Sequence, residues 1–304
     1  VEYLSHDFMQ RFRFAVQKSA ELGLDVWVFD EYAWPTCSAK SSVQEVDPTY
    51  RMRVLSCFAM DAEGPGEVAF SPDWGKTGMA AAPADARPGG GESTSHDEGD
   101  GLTPITPYLY PETIESGNRM YFEPRMEKVL AVPLVDGRMR VEETIDITAS
   151  ADDLSLTWSA PEGSWRVLML ISRDFGLNID VINPEAVRCF LDVTCEKYRK
   201  YVGEYFGTTF KGFFSDETRM IRNTQHRFTE PTVAFSLNLF GRLEERGIGN
   251  LDECLAAVFA DEDTPQIHAC RWRYWQRVTE MYGESFYDQP VSYTHLTLPT
   301  SDLV

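Results

Sequence analysis

The stretch Leu22-Gly23-Leu24-Asp25-Val26-Trp27-Val28-Phe29-Asp30-Glu31-Tyr32-Ala33-Trp34-Pro35 decides how this chain reads. Its centre, from Leu24 to Phe29, is short, nearly continuous in apolar residues, and rich in β-branched and aromatic side chains. That is how a buried parallel strand is written. An acidic pair, Asp30-Glu31, closes it. Upstream, Ser5 is a helix N-cap with Asp7 in the first turn, and Leu4 can staple onto Met9. Phe8, Phe12, Ala15, Val16 and Leu22 then recur at helical spacing, and Gly23 suits the C-cap.

The same order of signals returns later. Asn183-Pro184-Glu185 reads as an N-cap with proline in the first helical position. Val187, Phe190, Leu191, Thr194, Tyr198, Tyr201, Val202 and Tyr205 supply one apolar face, and Gly207 ends it. The strand Phe210-Lys211-Gly212-Phe213-Phe214-Ser215 follows, and it too runs into Asp216-Glu217. Helix, glycine, buried strand and acidic pair thus occur twice, which predicts an α/β architecture. Trp165–Ser172 reads as a further buried strand. Helices are predicted near Thr232–Arg246 and Ile267–Phe286, the second carrying Trp272, Trp275, Val278, Thr279, Tyr282 and Phe286 on the outside of a sheet or barrel.

Between Cys57 and Pro161 the helical period disappears. Short β-like runs at Lys128–Val135, Met139–Ile147 and Leu154–Trp158 are separated by turn signals, Asp136-Gly137 the clearest. Residues 76–101, with Gly89-Gly90-Gly91, are rich in Gly, Ala, Pro, Ser and Asp and predict a mobile surface loop. The organisation expected is therefore 1–58 as the first part of an α/β domain, 59–160 as a β-rich insertion, and 161–290 as its continuation.

Composition bounds the function. The chain has 304 residues with 43% hydrophobic and 12% aromatic content, enough for a conventional core. It carries 28 Lys+Arg against 48 Asp+Glu, a formal charge of −20, which repels nucleic acid and favours neutral or cationic partners. No apolar run reaches the length of a transmembrane helix. The six cysteines form no C-x-x-C pair and read as reduced thiols, and the five histidines form no zinc motif. An acidic chain with free thiols favours the cytoplasm, whereas a leader upstream of Val1 would make the protein secreted.

Chemistry is expected at the two acidic strand ends. Strand C-termini face the ligand side of parallel α/β folds. A carboxylate there is partly desolvated, which raises its pKa and suits it to general-acid work. Glu217 and Asp216 are the catalytic candidates; their alternative is helix capping or a structural ion pair. Asp30, Glu31, Tyr32 and Trp34 are substrate-binding candidates, since a sugar offers both hydroxyl edges and flat C–H faces to aromatic rings. Core packing is the alternative for the two aromatics.

The quoted stretch resembles a motif of large bacterial glycoside hydrolases related to the α-L-rhamnosidases of glycoside hydrolase family 106, in which the strand ends in a D-E-Y-G-W-P-S-G-like loop. Val181-Ile182-Asn183-Pro184-Glu185-Ala186-Val187, the Tyr198 helix, Phe206-Gly207 and Gly212-Phe213-Phe214-Ser215-Asp216-Glu217 resemble a second block, and Pro161–Val167 a weaker third. The matches span about 1–58 and 160–288. Ala33 replaces a glycine, Thr36-Cys37 replace Ser-Gly, and Thr218 stands where proline is common. The resemblance implies a partial (β/α)8 TIM-type barrel with a β-rich insertion, and cleavage of glycosidic bonds in plant or microbial polysaccharides. It implies Glu217 as general acid, with Asp30 and Glu31 binding sugar hydroxyls or helping to hold calcium. The alternative is a non-catalytic carbohydrate-binding or degenerate barrel protein.

Val291-Ser292-Tyr293-Thr294-His295-Leu296-Thr297-Leu298-Pro299-Thr300 resembles the translation of a sequencing-library adapter. Residues 291–304 are accordingly read as an artefact tail, and the chain as an incomplete fragment that is inactive by itself.

Overall fold

The computed structural model describes residues 1–30, 32, 36, 37, 39–72, 124–216, 218–221 and 230–290, with the side chains of 174–177 excepted. The expected loop 76–101 and the tail 291–304 lie outside them, as do Glu31, Trp34 and Glu217. In chain order the elements are α1 (His6–Leu22), β1 (Val26–Phe29), α2 (Ser42–Val46), β2 (Arg51–Phe70), β3 (Arg125–Val135), β4 (Arg138–Met139), β5 (Ile145–Asp146), β6 (Ala151–Asp152), β7 (Ser155–Ile179), α3 (Pro184–Val193), α4 (Cys195–Val202), β8 (Phe210–Phe214), β9 (Thr232–Phe235), α5 (Leu239–Glu245), α6 (Leu251–Val258) and α7 (Pro265–Tyr282). They fall into two compact units: 1–52, 176–220 and 280–304 form the first; 53–175 and 221–279 form the second.

In the first unit, α1 begins and ends as its sequence predicts. The Ser5 side chain accepts from the Phe8 N–H, and Gly23 takes the left-handed conformation (φ 66°) in which it caps the last carbonyls. Leu4, Met9 and Val16 join Val28, Tyr198, Val202, Phe206 and Phe210 in one apolar cluster, which packs α1 and α4 on one face of a parallel β1–β8 pair. The second helix breaks in two. Thr194 leaves helical geometry (φ −108°, ψ −76°), separating α3 from α4. Asn183 caps α3 by accepting from the Glu185 N–H at 2.9 Å, with Pro184 in the first turn.

One expectation fails here. β1 and β8 are not buried on both faces. Their register places Trp27 beside Gly212 and Phe29 beside Phe214. On that face Trp27 is 63%, Phe29 46% and Phe214 56% exposed. The apolar run reflects one face under the helices and one face that is apolar but uncovered.

The second unit holds a seven-stranded sheet with order β4-β3-β7-β2-β9, β5 pairing with β3 and β6 with β7. Its pairings β3–β7, β2–β9 and β3–β4 are antiparallel. Trp165–Ser172, expected in the continuing barrel, is therefore part of β7 and antiparallel to β3, with Ala131 opposite Val167. A continuous apolar run reports burial on both faces, and here both are covered without the neighbours being parallel. Val167, Met169 and Ile171 join the cluster of Val129, Ala131, Leu156 and Trp158, while Leu168 and Leu170 are buried on the opposite face. Asp136 and Gly137, both at positive φ, make the predicted hairpin turn between β3 and β4.

One predicted helix shortens and the other changes form near its end. Thr232–Phe235 is strand β9, as its β-branched and aromatic side chains favour, and helix begins only at Leu239. α7 ends at Tyr282 and continues as a π-helix over Gly283–Asp288. Ile267, Cys270, Tyr274, Val278 and Met281 form its buried side, and Trp272 is 65% exposed. No disulfide joins the described cysteines. No helix among the described residues is long and apolar enough to cross a membrane.

Candidate functional site at the ends of β1 and β8

The parallel pairing of β1 with β8 brings the two acidic strand ends together. Hydrogen bonding continues one residue past the strands, the Asp30 N–H donating to the Phe214 carbonyl at 3.0 Å. Asp30 is 5% exposed. Both its carboxylate oxygens are engaged: the Thr36 hydroxyl donates to Oδ1 at 2.8 Å and the Ser215 hydroxyl donates to Oδ2. Thr36 also reaches the other strand end. Its hydroxyl accepts from the Asp216 N–H at 2.8 Å, and its own N–H donates to the Asp216 carbonyl at 3.2 Å.

Burial raises the pKa of the Asp30 carboxyl, and the donors from Ser215, Thr36 and the backbone hold it back. Beneath it lie three weakly acidic groups. Burial pushes Tyr198 up to about 12 and Cys195 up to about 12, the Asp30 charge adding to both. Tyr3 is raised first by burial, then by the nearby Tyr198 and Asp30. The Tyr3 hydroxyl makes no well-formed hydrogen bond, although Tyr198 lies close enough to interact with it. The Tyr3 ring packs against Tyr32 with centroids 5.1 Å apart.

Of the six site residues expected from sequence, Asp30 and Asp216 are thus brought together at one sheet end. Tyr32 is half-buried in the same unit, and Asp216 is half-buried. Glu31, Trp34 and Glu217 lie outside the described residues. Sequence reasoning passed over Thr36 and Ser215, whose hydroxyls hold the arrangement, and Tyr3 and Tyr198 below it. In the resemblance drawn from the sequence Thr36 takes the place of a serine, so a retained hydroxyl was the signal that could have found it. Cys37, which takes the place of a glycine there, adopts φ 79°, a conformation that glycine accepts without strain.

Glu31, named with Asp30 as a possible calcium ligand, lies outside the described residues. Among them no three His, Cys, Asp or Glu residues come together as ligands, and each Asp30 oxygen already faces a hydroxyl hydrogen. An open groove of about 1040 Å³, lined by Glu2, Tyr3, Ser42, Glu45, Glu196 and Lys200 among others, mixes acidic and basic side chains and includes neither Asp30 nor Asp216.

A solved structure of a rhamnosidase from Novosphingobium sp. PP1Y matches 98% of this chain with a TM-score of 0.61. The fold is shared with a rhamnosidase. Sequence identity is 12%, so the likeness is one of fold, and the chain spans 40% of that protein's length. No protein-family model and no curated protein sequence matches the chain.

Proposed function

We propose that this chain is part of a glycoside hydrolase whose active site forms at the ends of β1 and β8. The observation that carries the reading is the meeting of the Asp30 and Asp216 segments at one end of a parallel pair, locked by Thr36 and Ser215. The likeness to part of a rhamnosidase fold supports it. In this reading the parallel pair belongs to a (β/α)8 barrel. The uncovered aromatic face of Trp27, Phe29 and Phe214 is the surface on which further barrel strands would pack.

The substrate is an oligosaccharide or polysaccharide bearing α-L-rhamnose or a similar sugar. Glu217, the residue after Asp216, protonates the departing glycosidic oxygen as the C–O bond breaks. Asp216 and Tyr32, both half-buried, meet the sugar. Asp30, with both oxygens occupied, acts chiefly by holding the loop that carries Glu31, Tyr32 and Trp34. A general acid contributes roughly 10²- to 10⁴-fold. Glu217→Gln should therefore cut turnover of an unactivated rhamnoside by about that factor, while calorimetry still detects sugar binding. Near-normal turnover would remove Glu217 from the role.

One observation favours a second reading. Ala33 and Thr36-Cys37 depart from the loop that the sequence resembles, and Cys37 keeps φ 79° without being glycine, departures that would suit a drifted site. A carbohydrate-binding protein on the same fold would bind oligosaccharide and release no sugar.

A further inference from the structure

We infer that Thr36 is a positioning residue for Asp216 at the end of β8; the inference rests on the glycosidase reading above. Thr36 is 1% exposed, and its single hydroxyl is used in both directions. It donates to Asp30 Oδ1 at 2.8 Å and accepts from the Asp216 N–H at 2.8 Å. Its main-chain N–H closes a second bond to the Asp216 carbonyl at 3.2 Å. The main-chain N–H and carbonyl of Asp216 are thus both held by one residue, which is itself anchored on a buried carboxylate.

The direction of the hydroxyl follows from its partners. An amide N–H can only donate, so the Thr36 oxygen accepts there and its proton is left for Asp30. A carboxylate at Asp30 completes this relay, and Ser215 on the second oxygen keeps the carboxylate from rotating away. The chain Ser215–Asp30–Thr36–Asp216 returns to the residue next to its start, so it closes β8's end on itself through the β1 loop. A residue serving stability alone would need no such return to the catalytic segment. Catalytic geometry tolerates little displacement: about 1 Å of misplacement can cost on the order of a hundredfold in rate.

Thr36→Val keeps the shape and removes both hydroxyl bonds, while Thr36→Ser keeps the hydroxyl. Two readouts separate the clamp from the chemistry. Hydrogen exchange at the Asp216 amide should quicken about tenfold or more in Thr36→Val, because its acceptor is gone, and stay near wild type in Thr36→Ser. With an aryl α-L-rhamnoside, kcat should fall roughly ten- to hundredfold in Thr36→Val with KM little changed, and Thr36→Ser should restore it. If Thr36→Val does not fold, Thr36→Ala is read in the same way. Unchanged exchange and kcat in the valine variant, or failure of serine to restore them, overturns the inference. Turnover is read in the full-length protein of which this chain is part: its absence there overturns the glycosidase reading and the positioning role with it, while the exchange ratio still shows whether the clamp exists.

Discussion

Two apolar runs that look alike in sequence end in different surroundings. Val26–Phe29 in the first unit and Trp165–Ser172 in the second are both short, β-branched and aromatic. The second is buried on both faces, with Val167, Met169, Leu170 and Ile171 all at 0% exposure. The first is covered by α1 and α4 on one face and leaves Trp27 and Phe29 exposed on the other. An apolar run therefore marks a strand suited to two covered faces. It does not say whether the cover is present, nor in which direction the neighbouring strand runs.

The largest expected effect breaks that comparison open. Leu170→Ala should cost about 2–5 kcal/mol in denaturant unfolding, because it leaves a cavity in a closed interior. Phe29→Ala, in the matching strand of the first unit, should stay below about 1 kcal/mol because its ring already meets solvent. Equal losses would mean that the β1–β8 face is covered in solution.

Glycines sharpen the same contrast at smaller scale. A Cβ on Gly64 would stand 1.8 Å from the Pro161 carbonyl oxygen, a backbone atom on the neighbouring strand that cannot swing aside. Gly64→Ala should cost about 1–3 kcal/mol. A Cβ on Gly212 would meet the edge of the exposed Trp27 ring at 3.0 Å, and that side chain can turn away. Gly212 also holds φ 156°, which a residue with a side chain rarely adopts, so Gly212→Ala should still cost about 1–3 kcal/mol, from backbone strain rather than from a clash. Thermal melts of the two variants side by side compare them.

The smallest effects concern pH, and they have opposite signs in the two units. In the first, burial raises Asp30 above the usual 3.8, so the folded state takes up its proton more readily than the unfolded chain. That contribution is full below the unfolded value and is lost as pH rises through the folded one. Wild-type stability should therefore fall as pH rises through the folded-state value of Asp30, and Asp30→Asn should flatten that slope whatever its loss of hydrogen bonds does to the absolute stability. In the second, Arg166 donates to both oxygens of Asp61, at 2.7 and 3.0 Å, and lowers its pKa. Asp61→Asn should lose a little stability at neutral pH, under about 1 kcal/mol for so exposed a pair, with the loss vanishing as pH falls through the folded value.

Much of the local structure was legible because its causes are local. Ser5 and Gly23 bound α1, Asn183-Pro184 open α3, and Asp136-Gly137 turn the β3–β4 hairpin, each through its own backbone preference. That β1 and β8 are parallel strands was legible from two repeats of one pattern; that they pair directly was not, since Trp165–Ser172 was expected between them. What escaped depends on distant partners. Thr232–Phe235 is a strand because β2 offers an edge, with Val54 opposite Ala234. Trp165–Ser172 is antiparallel because β3 lies beside it. At the site, Asp30 and Asp216 were visible as acidic strand ends, whereas Thr36 and Ser215 acquire meaning only when 180 residues of intervening sequence bring Thr36 onto Asp216.

The central proposal is that the joined ends of β1 and β8 form part of the active site of a glycoside hydrolase acting on rhamnosides. Chromatography of sugar released from a rhamnose-containing oligosaccharide, by the full-length protein of which this chain is part and by its Glu217→Gln variant in parallel, tests it most directly. The account predicts free rhamnose from the wild type and little from the variant, with both still binding the oligosaccharide. Binding by both with release from neither, or equal release from both, would contradict it.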